Sequence, residues 1–198
     1  MKIVVTIVLL AAVIWLATRF RAQASTAPQA EPAKAKPADP KEVYVGLRDS
    51  MLRGSRSKFN LAATSSPTEP WGVLMDWGVE KGTVTVVAVS DGSASVYFSS
   101  GGGYIGGGGQ EAIRWAAKRA VEVAGDAQPL MKATATYPLP QRGGVIFYTL
   151  TDAGTFSAIT TEQELHSTTH PLRRLGDAMQ QVITQYRIWS EQNKRESK

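Results

Sequence analysis

Residues 3–18, IVVTIVLLAAVIWLAT, are an unbroken uncharged run closed by Arg19 and Arg21. Such a run commits one segment of the chain to lipid and leaves the remainder to fold in water. As a helix rising about 1.5 Å per residue it reaches ~24 Å, a little short of the ~30 Å hydrocarbon layer, and Phe20 with snorkelling arginines extends that reach. Residues 1–21 therefore read as a single-pass transmembrane anchor. The alternative is a signal sequence, because Lys2 supplies a positive start and Ala22-Gln23-Ala24 has the small-x-small form of a cleavage site. That would leave an exported domain cut near Ala24. Arg19 and Arg21 stand where a signal peptide is ordinarily uncharged, and they favour the anchor. Lys34, Lys36 and Lys41 put slightly more positive charge on the downstream side, which favours a cytoplasmic domain.

Residues 22–38 are rich in Ala and Pro, with Pro28, Pro32 and Pro37 interrupting any helix. They have too few large apolar side chains for a core and read as a linker of up to ~50 Å if extended at about 3.1 Å per residue. Of the 22 Lys/Arg and 17 Asp/Glu in the chain, six and two fall in residues 1–41, leaving 16 and 15 beyond. The basic excess therefore lies beside the bilayer, and no basic stripe marks a nucleic-acid binder. The chain has no cysteine, which excludes disulfides, thiolate catalysis and Cys-ligated zinc.

Residues 39–193 carry the pattern of one folded domain, followed by a basic tail at 194–198. Asp39 can cap a helix with Pro40 in its first turn, and Val43, Leu47 and Met51 recur at helical spacing before Gly54. Strands are expected at 73–77, 83–90 and 94–99, the last two joined by Asp91-Gly92, a strong hairpin signal. Both faces of 83–90 are apolar, which predicts a central strand covered on both sides. A helix over 110–124 would bury Ile113, Ala116, Ala117, Ala120, Val121 and Ala124 and end at Gly125. Strands follow at 132–137, 145–150 and 155–161. Leu172, Leu175, Met179, Val182, Tyr186 and Trp189 mark a last helix, and Ile183 widens its stripe into a sheet-packing face rather than a coiled-coil seam. The expectation is an α+β domain in the order helix, three strands, helix, three strands, helix, its antiparallel sheet of five or six strands having helices on both faces.

This order is similar to that of the roadblock and longin group of profilin-like domains, which run helix, two strands, helix, three strands, helix. The resemblance implies a scaffold that dimerises or binds small GTPases and their partners. The chain also resembles uncharacterised bacterial proteins that carry a Trp-Gly-Val-Leu-Met-Asp segment (residues 71–76), a Ser-x-Tyr-Phe-Ser-Ser-Gly-Gly-Gly-x-Ile-Gly-Gly-Gly loop (residues 95–108) and a late His-Pro-Leu (residues 170–172). That resemblance implies a bacterial inner membrane for the anchor and no activity.

The glycine-rich loop is the candidate ligand site. Gly101, Gly102, Gly103, Gly106 and Gly107, with Tyr104 among them, follow a strand and precede a helix, where free amides and the helix dipole can receive an anion or nucleotide. Gly101, Gly103 and Gly106 also satisfy G-x-G-x-x-G, but the flanking strands read as an antiparallel meander, and no Lys-Ser/Thr pair ends the loop. A purely structural connection with Tyr104 and Ile105 tucked into the core is the competing reading. His166 and His170 have metal-ligand spacing, although Pro171 disfavours the helical geometry that would bring them together. Ser55 to Lys58 matches Ser-x-x-Lys without its companion motifs. Asp76 within a strand is either an active carboxylate or an outward-facing or hydrogen-bonded polar member of the pleat, and Trp71, Trp77 and Trp115 are expected in the core or at its edge. With no convergent catalytic set, cofactor motif or metal motif, the sequence points to a non-enzymatic, membrane-tethered interaction or regulatory domain, with a protein partner or homodimer. The alternative is an exported domain that binds an anionic small molecule at the glycine loop.

Overall fold

The computed structural model describes residues 39–196. The anchor or signal expected at 1–21 and the linker expected at 22–38 lie outside them. Among the described residues no helix is long and apolar enough to cross a membrane.

Helix α1, Pro40–Leu52, starts where the Asp39 carboxylate accepts the Lys41 amide at 2.9 Å. Its buried face is Tyr44, Arg48, Met51 and Leu52, whereas Val43 is 45% exposed, so the expected stripe was out of phase by one position. A short 3-10 turn, Ser57–Phe59, leads towards four strands: β1 Gly72–Val79, β2 Gly82–Val89, β3 Ala94–Phe98 and β4 Gly103–Ile105. Helix α2, Glu111–Ala127, continues through Gly125 rather than ending there. Strands β5 Lys132–Thr134, β6 Gly144–Thr151 and β7 Gly154–Thr161 follow, then the one-turn helix α3, Glu162–Leu165, and the long α4, Arg173–Glu196.

The described residues thus form an α+β domain with four α-helices and a seven-stranded antiparallel sheet in the order β4-β3-β2-β1-β6-β7-β5. The expectation of five or six strands fell short because β4 lies inside the glycine loop, where there is almost no side-chain alternation to announce a strand. Four strands therefore precede α2, one more than expected. Strand β1 is central and pairs with both β2 and β6.

Alternation along the strands sends each side chain to one of two layers. Val73, Met75, Val86, Val96 and Phe147 join the buried faces of α2 and α4, including Ile113, Ala120, Leu175, Met179 and Val182. The small residues of α2 let that helix lie close to both the sheet and α4. On the opposite face Leu74, Val87, Tyr97, Ile146, Tyr148 and Leu150 pack with Tyr44, Met51, Leu52 and Trp71. Helices therefore cover both faces, as the apolar pattern of β2 required, and the last helix packs on the sheet as its widened stripe indicated.

After β5, at one end of the sheet, the chain returns inward to pair β6 with β1. The returning segment crosses the α1 face, where Tyr137 packs on the core and the Tyr148 hydroxyl donates to the Pro138 carbonyl at 3.0 Å.

Candidate interaction site at the glycine-rich edge

The middle of the expected site loop, Gly103–Ile105, is an edge strand of the sheet, and Gly107–Gly109 form a 3-10 turn. Gly101 and Gly102, at φ of 102° and 83°, make the tight turn from β3 to β4, a backbone that side chains with a Cβ rarely adopt. At the two ends of β3 the Ser99 amide donates to the Thr83 carbonyl and the Ser93 carbonyl accepts the Val89 amide, so odd-numbered residues face β2. Even-numbered ones face β4, as the Phe98 amide does when it bonds to Gly102. By this alternation the main-chain groups of Tyr104, opposite Val96, point inward to β3. Those of Gly103 and Ile105 point outward, beyond the terminal strand of the sheet.

Side chains alternate in the other direction. Tyr104 turns to the α2/α4 face, stacking on Tyr186 at 5.4 Å between centroids and meeting Trp189 edge-on at 6.3 Å. Ile105 turns to the other face and is 67% exposed, so only one of the two residues expected in the core is tucked inward. Tyr186 fixes the loop: its hydroxyl donates to the Ala94 carbonyl at 2.6 Å and accepts the Gly107 amide at 2.9 Å. An added Cβ at position 107 would overlap that hydroxyl, which explains glycine there by close packing. Burial pushes the Tyr186 phenol up to about 12, opposed by the Gly107 amide.

Cavities open on both sides of the Tyr104 ring. One, of about 310 Å³, is lined by Gly103, Gly106, Gly107, Gln110 and Trp189. The other, of about 300 Å³, lies between Phe98, Ile183, Arg187 and Lys194. Of the residues singled out in the sequence, Gly103, Tyr104, Gly106 and Gly107 come together around the first cavity, while Gly101 and Gly102 form the hairpin turn beside it. Helix α2 begins at the same cavity with no side-chain cap on its first turn. Tyr186 and Trp189, from the far end of the chain, were not assigned to this site, although both belong to the apolar stripe of the last helix.

The other titratable candidates serve the fold. Asp76 is fully buried in β1. One of its oxygens accepts Arg48 Nε at 2.9 Å and Nη2 at 2.6 Å, and the other accepts the Thr85 hydroxyl at 2.5 Å. The Tyr44 hydroxyl lies 2.9 Å from that of Thr85 and donates to it, since the Thr85 proton is engaged by Asp76. Burial pushes the Asp76 carboxyl up, opposed by Arg48 and Thr85. Burial also acts against the Arg48 charge, yet Asp76 outweighs it and holds the guanidinium above its ordinary value. Arg48 donates further to the carbonyls of Tyr137 and Pro138 at 3.1 and 3.2 Å. It therefore gives the half-buried Tyr137 carbonyl its donor and shares the Pro138 carbonyl with the Tyr148 hydroxyl.

His166 ends α3, while His170 sits before α4 with Nδ1 accepting the Leu172 amide at 3.3 Å, so the two do not share a helical face. Ser55 and Lys58 lie around the 3-10 turn, where the Lys58 amine donates to Ser50 at 3.2 Å. Trp71 is buried and Trp77 half-buried, but Trp115, expected in the core or at its edge, is 67% exposed. It lies two positions from buried Ile113, which puts it across the helix from the core stripe. No family model, curated relative or solved structure matches the chain.

Proposed function

We propose that this chain is a membrane-tethered protein-interaction domain, held by residues 1–21, whose partner docks at the β4 edge. The observation that carries this reading is the outward main chain of Gly103 and Ile105, flanked by an exposed isoleucine on one face and the Tyr104, Tyr186 and Trp189 cluster on the other. An added strand would gain main-chain hydrogen bonds along β4, and its alternate side chains would find the cavities beside Tyr104. Arg48 and Asp76, the most deeply buried ion pair among the described residues, are engaged in holding the returning segment and are not presented for recognition.

Site-specific photocrosslinking in native membranes tests this. A benzophenone side chain at position 105 is expected to give discrete protein adducts, and one at exposed position 159 in β7 to give none. Absence of adducts from position 105, or the same adducts from both, overturns the proposal.

A second reading is that an anionic small molecule binds in the cavity at the start of α2. The uncapped first turn of that helix favours it, because its amides and dipole attract negative charge. This reading predicts thermal stabilisation by phosphate-bearing ligands that is lost in Gly103→Val, with a retained fold checked by circular dichroism.

A further inference from the structure

We infer that the partner strand at β4 is β4 of a second copy of this chain, an inference that rests on the interaction reading above. Antiparallel pairing about a two-fold axis at Tyr104 places Gly103 opposite Ile105 of the second copy, and Ile105 opposite its Gly103. Directly opposed residues in a β-ladder project to the same face. Each exposed isoleucine therefore meets the one residue of the strand that has no side chain on that face, and the surface is complementary to itself. The main-chain pattern fits the same register. Gly103 and Ile105 both direct their amides and carbonyls outward, so the two opposed pairs can exchange hydrogen bonds, while Tyr104 remains bonded to Val96 of its own sheet. Tyr104 stays on the α4 face in both copies, which brings its flanking cavities to either side of the axis.

This symmetry is isologous and closes after two copies, so the edge is consumed rather than left to propagate. The strand spans only three residues, Gly103–Ile105, a small contact beside the ~1,200–2,000 Å² of stable interfaces. Such pairing is weak between freely diffusing copies and becomes effective when a shared membrane raises the local concentration.

The chain has no cysteine, so a single introduced thiol reports on one position. Two differently tagged full-length copies carrying Ile105→Cys, co-expressed and treated in membranes with a short bis-maleimide, are expected to crosslink to each other. Copies carrying Ile159→Cys, at the comparably exposed position in β7, are not. In the cysteine-free background, Ile105→Lys is expected to lower severalfold the energy transfer between two differently labelled full-length copies in the intact membrane, since it places a charge against the opposing strand. Equal crosslinking at both positions, or none at 105, overturns the inference. If photoadducts at 105 contain only a different polypeptide, self-association fails while the interaction reading stands. If position 105 gives no adduct of any kind, both fail.

Discussion

The two faces of the sheet are built on different principles. Towards α2 and α4 the core is apolar and helical, with Leu175, Met179 and Val182 fully buried against Val73, Val86 and Phe147. Towards α1 it contains an ion pair, two hydroxyls and the carbonyls of a crossing segment, held together by Arg48 and Asp76. The difference follows from topology. Two long helices satisfy their own main chain and need only apolar surface, whereas an irregular segment laid across a sheet brings polar groups that must be bonded. Arg48, with five donors in a planar fork, bonds Asp76 and two carbonyls at once.

Mutation should separate the two designs. Asp76→Ala would leave the Arg48 charge buried without its partner and is expected to cost about 3–5 kcal/mol in denaturant unfolding of residues 39–196. Replacing both residues with apolar ones of similar volume should cost less than the single change at Asp76, but not nothing, because the Tyr137 carbonyl loses its donor and that of Pro138 keeps only the Tyr148 hydroxyl. On the other face Leu175→Ala should cost about 3 kcal/mol through transfer and cavity terms, with no polar rescue. If the double replacement is worse than Asp76→Ala alone, the account of the α1 face is wrong.

Alkali compares the faces more gently, since each has a buried tyrosine with a strongly raised phenol, joined on the α1 face by Tyr44 and Tyr97, which burial also pushes up. Burial pushes both Tyr148, on the α1 face, and Tyr186, on the α4 face, up to about 12. The folded state holds these protons more tightly than the unfolded chain does. The stability they lend is therefore complete below pH 10 and is lost as the pH rises from 10 towards 12. Tyrosinate absorbance should lag for these two groups, and Tyr148→Phe and Tyr186→Phe should each remove one part of the lag. The smallest expected effect on stability is at the edge: Ile105→Lys should change unfolding by no more than about 0.5 kcal/mol, because Ile105 is already solvated. A larger loss would mean that Ile105 supports the fold and is not simply an exposed contact.

The regular parts of this architecture were legible in the sequence because they obey simple periods. The stripe from Leu172 to Trp189 located α4, and the two apolar faces of β2 identified a sheet covered on both sides. Asp91-Gly92 located a hairpin. Where side-chain chemistry departed from hydrophobic periodicity, the reading slipped. The phase of α1 was set on Val43, Leu47 and Met51, but burial follows Tyr44, Arg48 and Met51, because a partner 28 residues away at Asp76 makes a buried arginine tolerable. Asp76 was expected to be reactive, outward-facing or hydrogen-bonded, and Arg48 of α1 with Thr85 of β2 makes it a fully buried, hydrogen-bonded residue. Strand β4 was hidden among glycines that carry no alternation, and the contacts of Tyr104 with Tyr186 and Trp189 join residues more than 80 positions apart.

The account rests on β4 being a covered edge in the membrane and an open one in isolation. Amide hydrogen exchange at Gly103 and Ile105 tests it most directly, comparing the full-length chain at native membrane density with residues 39–196 at high dilution. Slowed exchange of these two amides in the membrane, with fast exchange in the diluted domain and no change at Tyr104, is the predicted result. Equal exchange of Gly103 and Ile105 in the two preparations would contradict it.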